Sequence, residues 1–339
     1  MSRIYDALVI GAGLAGLIAA RVLADAGKRV HLLDKSRSVG GRLATRRIGE
    51  GRADTGTQFF TAHDPEFQAF TERWLQEGII FEWSRGWSNG SLEETRDGFP
   101  RYAAKDGMNA LAKHLASGLD VRINTEIVTI QHLADGWMVT DKENTIFEGG
   151  ALVLTPPMPQ SLKLIEAGKI NLDPAVFEQL SSIGYEMCLT ALLHVNGEIA
   201  LPAPGAMQRP HANLSWIADN QRKGISKTHI ITIQMGGNYS RALWALPDEQ
   251  ILSKLRVDLE PLMGGDSWSI LEAQIKRWRY SRPLNPMSVT HVLTGVAHDS
   301  DSGETRPLLF AGDSFADAKV EGAFLSGLHG GRALVGEMN

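Results

Sequence analysis

The sequence is poor in the features that mark secreted, membrane-spanning and nucleic-acid-binding proteins. Its 339 residues include one cysteine, Cys188, which excludes an internal disulfide framework and a cysteine-clustered metal site. No stretch approaches the roughly 20 uninterrupted apolar residues of a membrane helix. A net charge of -5 argues against a nucleic-acid partner, whose binding surface is normally basic. Because Met1 leads directly into the first predicted strand, we expect no signal peptide, and we expect a cytoplasmic protein with no metal, membrane or nucleic-acid partner.

A glycine-rich turn near the start of the chain is the most informative motif. Gly11, Ala12, Gly13 and Gly16 follow an apolar predicted strand and open an Ala-rich amphipathic helix, and Asp34 ends the next apolar run. This is the setting of a dinucleotide fingerprint, whose glycines permit a tight turn, close approach to a pyrophosphate and close helix–strand packing. An acidic side chain at position 34 can accept hydrogen bonds from an adenosine ribose. NAD and FAD enzymes share this motif, so it does not choose between them.

A second glycine-containing strand end, near the C-terminus, favours FAD. The predicted strand at residues 307–313 runs into Gly312 and Asp313, and Glu321 opens a helix that extends to about Val335. The aspartate can hold a ribityl chain or bridge to the pyrophosphate. The helix can direct its N-terminus at the flavin edge where negative charge accumulates on reduction. A simple NAD dehydrogenase does not need this second element, although an aspartate that merely caps a loop is the alternative.

Hydrophobic patterning predicts an α/β fold in which the nucleotide domain is discontinuous. Asp64 and Pro65 predict the start of a helix, and residues 83–98 read as irregular. The remaining predicted strands lie at 121–124, 126–132, 136–140, 145–148, 151–155, 189–195, 229–235 and 268–277, with helices at 106–117 and 247–262.

These elements predict two domains. The first is a Rossmann-type FAD-binding domain made of residues 1–65, 100–160 and 284–339. The second is an α+β substrate domain made of residues 66–99 and 161–283 and built on a mixed or antiparallel sheet.

Further segments resemble the bacterial renalase family of the FAD-dependent amine-oxidase superfamily. They are GGRLATRR at 40–47, DTGTQFFTA at 54–62, TPPMPQ at 155–160, KRWRYSRP at 276–283 and FADAKVEGA at 315–323. With the fingerprint and residues 311–313, this resemblance covers almost the full length. It implies a p-hydroxybenzoate-hydroxylase-like architecture and noncovalent FAD. Superfamily members that bind flavin covalently carry a C-terminal cysteine, which this chain lacks.

The resemblance also implies which residues contact the cofactor and the substrate. Asp34 would hold the adenosine ribose, Arg42 the pyrophosphate and Asp313 the ribityl–pyrophosphate region. The full set of implied cofactor residues is Gly11, Ala12, Gly13, Gly16, Asp34, Lys35, Arg42, Gly56, Thr57, Gln58, Val128, Asp313, Val320 and Glu321. The implied substrate residues are Gln58, Phe59, Phe60, Thr61, Ala62, Pro100, Arg101, Tyr102, Thr190, Trp278 and Val320. For Phe59 and Phe60, core packing is the alternative.

The function that the resemblance implies is oxidation of dihydro isomers of NAD(P), reduced at ring carbon 2 or 6, to NAD(P)+. Hydride would pass to flavin N5, and O2 would be reduced to hydrogen peroxide. This chemistry is mainly a positioning task, and we assign no catalytic side chain, because flavin N5 carries the reaction. Two alternatives stay open. One is an amine or other small-molecule oxidase or dehydrogenase of the same superfamily, and the other is a flavoprotein without enzymatic activity.

Overall fold

The chain folds into two compact units, each assembled from segments that are separated in the sequence. The structure is a computed structural model that describes residues 5–89, 98–197, 199–262, 268–297 and 305–339. Unit 1 contains residues 1–41, 112–184 and 283–339, and unit 2 contains residues 42–111 and 185–282.

The elements follow in chain order. The strands are β1 (Tyr5–Ile10), β2 (Val30–Leu33), β3 (Thr45–Ile48), β4 (Gly51–Asp54), β5 (Ile80–Ser84), β6 (Arg101–Ala104), β7 (Asp120–Arg122), β8 (Ile127–Leu133), β9 (Gly136–Asp141), β10 (Ile146–Leu154), β11 (Tyr185–Asn196), β12 (Ala206–Gln208), β13 (Leu214–Asp219), β14 (Ile230–Met235), β15 (Ser269–Pro283), β16 (Val292–Ala297) and β17 (Thr305–Phe310). The helices are α1 (Leu14–Asp25), α2 (Pro65–Gln76), α3 (Asn109–Ala116), α4 (Met158–Ala167), α5 (Pro174–Ser181), α6 (Gly237–Leu243), α7 (Asp248–Leu259) and α8 (Val320–Glu337), with short 3-10 turns at Gly41–Leu43 and Glu260–Leu262.

Unit 1 is built around an eight-stranded sheet with a parallel centre. The order is β16-β17-β10-β1-β2-β7, and β9 pairs with both β10 and β8. Strands β17, β10, β1, β2 and β7 run parallel, whereas β16 is antiparallel to β17. The centre is uniformly apolar because both of its faces are covered: Ala7, Leu8 and Val9 have no exposed surface. The predicted Rossmann-type fold is confirmed.

Helices α1 and α8 approach each other so closely that only glycine fits at their contact. A Cβ added to Gly327 would lie 2.3 Å from the carbonyl oxygen of Ala15, and one on Gly331 would lie 3.2 Å from that of Ala19. The helices follow β1 and β17, which both run parallel to β10. Their N-termini therefore lie at the same edge of the sheet, beyond the carboxyl ends of the strands.

Strand β10 corrects one expectation. The predicted strands 145–148 and 151–155 form one continuous strand, which pairs with β9 through its first half and with β1 through its second. Gly149 permits this, since a Cβ there would lie 2.8 Å from the Cγ of Leu8. Gly149, which lies between the two predicted strands, is the point where β1 begins to pair with β10.

Unit 2 is built on the five-stranded sheet β12-β13-β14-β11-β15. The pairs β12–β13, β13–β14 and β14–β11 are antiparallel, which confirms the predicted second domain. One face of the sheet buries Ile231 and Ile233 in an apolar core with α7. The other face carries Leu192 and Ile230, which pack against the β3–β4 ribbon.

The boundaries of the compact units differ from the predicted domain boundaries. Residues 42–65 and 100–111 were predicted with the nucleotide domain but belong to unit 2, because the β3–β4 ribbon packs on the five-stranded sheet. Residues 161–184 were predicted with the substrate domain but belong to unit 1, where α4 packs against β8 and α5. These packing partners are distant in sequence and leave no mark in the local pattern.

The local helix signals are confirmed. Asp64 caps α2 by accepting hydrogen bonds from the N–H groups of Glu66 and Phe67, at 2.8 and 3.2 Å, with Pro65 in the first turn. Residues 90–97 of the stretch predicted to be irregular lie outside the described residues. Among the helices of the described ranges, none is long and apolar enough to cross a membrane.

Candidate functional site

The turn between β1 and α1 is a tightly packed glycine cradle in unit 1. Gly11 has a φ of +99°, which favours glycine, and a Cβ on Gly16 would lie 2.0 Å from the carbonyl oxygen of Gly11. The hydroxyl of Thr155, at the end of β10, donates to the carbonyl oxygens of Ile10 and Gly11 at 2.9 Å each. Glycine at positions 11 and 16 is therefore required by the packing of the protein itself.

Gly13 is different, because a Cβ added there would meet no atom within 4 Å. It is the N-cap residue of α1, and Lys319 is that of α8; neither of these two residues makes a side-chain capping hydrogen bond. The two helix N-termini thus lie at one sheet edge without a cap from their own N-cap side chains. Open space above an uncapped helix N-terminus suits an anionic pyrophosphate, so the cradle fits a dinucleotide cofactor.

Asp34 is a buried carboxylate that fixes the cradle. One of its oxygens accepts a hydrogen bond from the N–H of Ala12 at 2.7 Å, and the other accepts from the N–H of Ser36 at 2.7 Å. A carboxylate oxygen can accept more than one hydrogen bond, so the predicted ribose contact is compatible with this arrangement. The neighbouring Lys35 donates to Gln160 at 3.0 Å.

The C-terminal element is attached to the same sheet. Gly312 has a φ of +150°, and its N–H donates to the hydroxyl of Ser326 on α8 at 2.8 Å, which ties the end of β17 to that helix. A Cβ on Gly322 would lie 1.9 Å from the carbonyl oxygen of Asp317, so the loop folds directly against the first turn. Asp313 and Glu321 are half-buried and Val320 is buried at this edge, in agreement with a cofactor role that remains a prediction.

In unit 2, the segment 54–58 is held by side chains that donate to its carbonyl oxygens, and we call it the clamped loop. Thr232 donates to the carbonyl of residue 54 at 3.0 Å, Trp278 to that of residue 55 at 2.9 Å, and Gln234 to that of residue 56 at 2.5 Å. These donors stand on β14 and β15, on the sheet face that meets the β3–β4 ribbon. The clamped loop contains Gly56, Thr57 and Gln58, which the resemblance assigns to the flavin.

A fully buried ion pair lies beneath the clamped loop. The ammonium of Lys223 donates to the carboxylate of Asp54 and to the carbonyl oxygen of Gln58, each at 2.6 Å, and neither charged side chain has exposed surface. Burial lowers the pKa of Lys223 from its ordinary value, and the nearby carboxylate opposes that change. Asp54 also accepts hydrogen bonds from the N–H of Met108 and the hydroxyl of Thr45, at 2.8 and 2.5 Å.

Next to the clamped loop, unit 2 contains four large rings and a guanidinium, which we call the aromatic cluster. It consists of Phe59, Trp83, Trp87, Trp216 and Arg101. The ring centres of Phe59 and Trp87 are 4.9 Å apart, and those of Trp87 and Trp216 are 5.1 Å apart. The Arg101 guanidinium carbon lies 6.0 Å from the centre of Phe59 and 5.4 Å from that of Trp87. Lys223 adds a second cation, 4.7 Å from the centre of Trp83.

The structure brings some of the predicted substrate residues together and separates others. Gln58, Phe59 and Arg101 meet at the clamped loop and the aromatic cluster. Phe60 is only 3% exposed and packs against Phe67 and Tyr102, as the alternative of core packing expects, and its contact with substrate stays a prediction.

The remaining predicted residues lie in several environments. Thr190 is buried on β11 opposite Gln234, and Thr61, Ala62 and Pro100 are half-buried. Arg42 donates to the carbonyl of Ser281 at 3.3 Å within unit 2, and Val128 is 43% exposed on β8 of unit 1. Their contacts with cofactor or substrate stay predictions.

Sequence reasoning missed the residues that support the site. Lys223 and Asp54 are 169 positions apart, and Trp83, Trp87 and Trp216 come from separate segments. Residues 190, 234 and 216 lie side by side on neighbouring strands, and only the register of the sheet brings them together. The aromatic richness of residues 83–87 is a signal that could have drawn attention to the cluster. Within the described ranges, no group of three or more His, Cys, Asp or Glu side chains could hold a metal ion.

The fold and the cradle define a dinucleotide-binding protein, and comparison with protein families identifies its class. The model of the flavin containing amine oxidoreductases matches residues 82–334, and that of the NAD(P)-binding Rossmann-like domain matches residues 9–74. The first match covers well over half of the chain, so the protein belongs to the flavin-containing amine oxidoreductase family. Its cofactor is FAD, which the glycine cradle fits.

Individual relatives are distant. Digeranylgeranylglycerophospholipid reductase 1 of Methanosphaera stadtmanae is 26% identical over 190 residues, which are 54% of this chain and 44% of that protein. The chain thus matches less than half the length of this curated relative.

Solved structures share the fold over nearly the whole chain. A putrescine oxidase triple mutant has a TM-score of 0.72 at 14% identity and covers 98% of this chain and 99% of its own. A structure described as a protoporphyrinogen oxidase from Exiguobacterium sp. 255-15 has a TM-score of 0.73 at 12% identity and covers 99% of each chain. At this level of identity the similarity establishes the fold alone.

Proposed function

We propose that the protein is an FAD-dependent oxidase that converts dihydro isomers of NAD(P), reduced at ring carbon 2 or 6, to NAD(P)+. The observation that carries the proposal is the arginine placed over two rings of the aromatic cluster. A dihydropyridine is a flat, neutral ring that can stack on aromatic side chains, and its dinucleotide carries phosphates that an arginine can bind. Phe59 and Arg101 are both half-buried, so they mark the edge of the cluster that a ligand can reach.

The charge of the cluster also favours an anionic dinucleotide over a protonated amine. Two cations, Arg101 and Lys223, lie over its rings, and the carboxylate of Asp54 is already paired with Lys223. An ammonium substrate would therefore be repelled by these two cations, and the Asp54 carboxylate, which is already paired, would not be available to neutralise it. The aromatic faces themselves attract cations, which keeps an amine oxidase as the second candidate.

The chemistry requires positioning more than acid–base catalysis. FAD, when bound, would supply the hydride acceptor and the route by which two electrons, with the transferred hydrogen and one further proton, reduce O2 to hydrogen peroxide. Loss of hydride restores an aromatic pyridinium, so no side chain must remove a proton from the donor carbon. On this proposal the clamped loop supplies a rigid wall, the aromatic cluster orients the dihydropyridine ring, and Arg101 holds negative charge of the dinucleotide.

Anaerobic mixing tests the proposal. The purified FAD-loaded protein is mixed with each dihydronicotinamide isomer, with ordinary NADH and NADPH, and with primary amines and polyamines, and the visible absorbance of the flavin is followed. We expect rapid bleaching by an isomer reduced at carbon 2 or 6 and slow or no bleaching by amines. Rapid bleaching by an amine alone would establish the second candidate. Bound FAD that none of these donors reduces would support a non-enzymatic flavoprotein and reject both oxidase functions.

A further inference from the structure

Two buried polar atoms beside the aromatic cluster have no hydrogen-bond partner among the described residues. They are the side-chain oxygen Oε1 of Gln58 and the indole nitrogen Nε1 of Trp216. Gln58 is 5% exposed and Trp216 is 4% exposed, so neither side chain is well hydrated. A buried polar atom without a partner destabilises the folded protein, because its hydrogen bond to water is lost and not replaced. Such atoms in a folded protein call for an explanation, and a ligand that supplies the missing partners is one.

The orientation of the Gln58 amide is fixed by its other end. Its Nε2 donates to the carbonyl oxygens of Asp54 at 2.8 Å and Gly56 at 3.0 Å. Because both neighbours of that end are acceptors, it must be the NH2 end, and the opposite end is the oxygen. Gln58 therefore presents a hydrogen-bond acceptor.

Trp216 presents the complementary donor close to the same loop. It stands on β13 opposite Gln234 of β14, and Gln234 donates to the Gly56 carbonyl oxygen that also accepts from Gln58. Side chains directly opposite on antiparallel strands are neighbours on one face. The Trp216 ring also lies 5.4 Å, centre to centre, from that of Phe59, the residue that follows Gln58.

We infer that Gln58 and Trp216 form a subsite for a primary carboxamide. Such a group offers an N–H donor to the Gln58 oxygen and a carbonyl acceptor to the Trp216 indole N–H, and its flat shape suits a position between rings. The inference rests on the proposed function and deepens it, because the nicotinamide ring bears a primary carboxamide. It predicts that this side chain of the substrate ring is a specificity element and that a dihydropyridine without it binds weakly.

The experiment measures binding by calorimetry on the FAD-loaded protein, so it does not depend on turnover. Three oxidised dinucleotides are compared: NAD+, its 3-acetylpyridine analogue, which keeps the carbonyl but has no N–H, and its unsubstituted pyridine analogue, which has neither. The acceptor role of Gln58 is tested through the ligand, because replacing Gln58 would also remove its bonds to the clamped loop. The donor role is tested with Trp216→Phe, which removes the N–H and keeps a ring.

Trp83→Phe is the matched control. Trp83 belongs to the same cluster, but its indole N–H donates to the carbonyl oxygen of Pro204 at 3.4 Å and is already used by the protein. This variant should change affinity for all three dinucleotides by a common factor. Trp83→Phe therefore measures how far the loss of any indole from this cluster changes dinucleotide affinity.

The expected result is a loss of about tenfold for the acetylpyridine analogue relative to NAD+ in the wild type, and a larger loss for the pyridine analogue. Trp216→Phe should weaken NAD+ and the acetylpyridine analogue by about tenfold each and leave the pyridine analogue nearly unaffected. Equal affinity of the wild type for all three, or a Trp216→Phe loss common to all three, would overturn the carboxamide subsite. If either of these results came with flavin bleaching by a dihydronicotinamide isomer, the proposed function would stand and only the carboxamide subsite would be wrong. No binding of any dinucleotide, with no bleaching, would overturn both.

Discussion

Replacing Lys223 by methionine should be one of the most destabilising single changes in unit 2. Lys223 and Asp54 have no exposed surface, and their nitrogen and oxygen are 2.6 Å apart. Methionine preserves the length of the side chain but leaves the carboxylate of Asp54 buried without its counter-ion. Removing one partner of a buried pair costs about 3–5 kcal/mol. The clamped loop also loses the donor to the Gln58 carbonyl oxygen.

A double-mutant cycle measures whether this loss comes from the pair. Asp54→Asn removes the opposite charge, and the double variant Asp54→Asn with Lys223→Met removes both. We expect the double variant to be more stable than the sum of the single losses predicts, by at least about 2 kcal/mol. Urea unfolding monitored by tryptophan fluorescence gives the midpoints. A Lys223→Met loss below about 1 kcal/mol, or strictly additive losses, would refute the assignment of a buried charged pair.

The Asp54→Asn variant adds a pH test with a defined sign. Without the carboxylate, burial alone acts on Lys223 and keeps its folded pKa below the ordinary value. The unfolded chain then binds more protons than the folded one between the two pKa values, so stability rises as the pH increases through that interval. As the pH rises toward the ordinary lysine pKa, this variant should therefore gain stability relative to the wild type. Loss of stability over this interval would contradict the role of burial.

Three further predictions concern single sites. Gly13→Ala should change the free energy of unfolding by less than about 1 kcal/mol yet weaken FAD binding, because its Cβ enters the open space of the cradle. Gly16→Ala should instead lower the urea midpoint, because its Cβ would lie 2.0 Å from the Gly11 carbonyl oxygen. FAD titration and unfolding separate the two variants, and equal FAD affinity of Gly13→Ala and the wild type would contradict the cradle. Burial raises the pKa of the Cys188 thiol from 9.0 to about 11. The free energy of unfolding measured by urea should therefore fall by roughly 2–3 kcal/mol as the pH rises between these two values. Cys188→Ala should lack this contribution to the fall. Asp64→Ala should lose about 1 kcal/mol and Asp64→Ser much less, because Asp64 accepts two N–H groups at the start of α2 and serine can replace it as a cap.

The sequence predicts those parts of the fold that are determined by interactions between residues close together in the chain. The turn at Gly11–Gly16, the cap at Asp64 and the apolar strand of residues 151–155 each follow from backbone geometry or burial that acts within a few residues. The FAD-binding domain and the antiparallel second sheet were predicted on this basis and are confirmed. The boundaries of the compact units differ from the predicted domain boundaries, because the β3–β4 ribbon joins unit 2 through contacts with residues 192 and 230.

The parts of the candidate site that could not be predicted depend on contacts across the chain. Lys223 sits in a turn after β13, where a lysine usually faces solvent, and only the fold places it beneath Asp54. Trp216 and Gln234 become neighbours through strand register. The clamped loop was selected by resemblance at residues 56–58, but the donors that hold its carbonyl groups come from positions 232, 234 and 278. Long-range pairing of this kind leaves no periodic signal in the sequence.

The most direct measurement is anaerobic single-turnover reduction of the FAD-loaded protein by one equivalent of a dihydronicotinamide isomer reduced at carbon 2 or 6. We expect the flavin absorbance to bleach fully, NAD(P)+ to appear in equal amount, and readmitted O2 to restore the colour with one equivalent of hydrogen peroxide. A flavin that stays oxidised with these isomers while an amine bleaches it would contradict the proposed function.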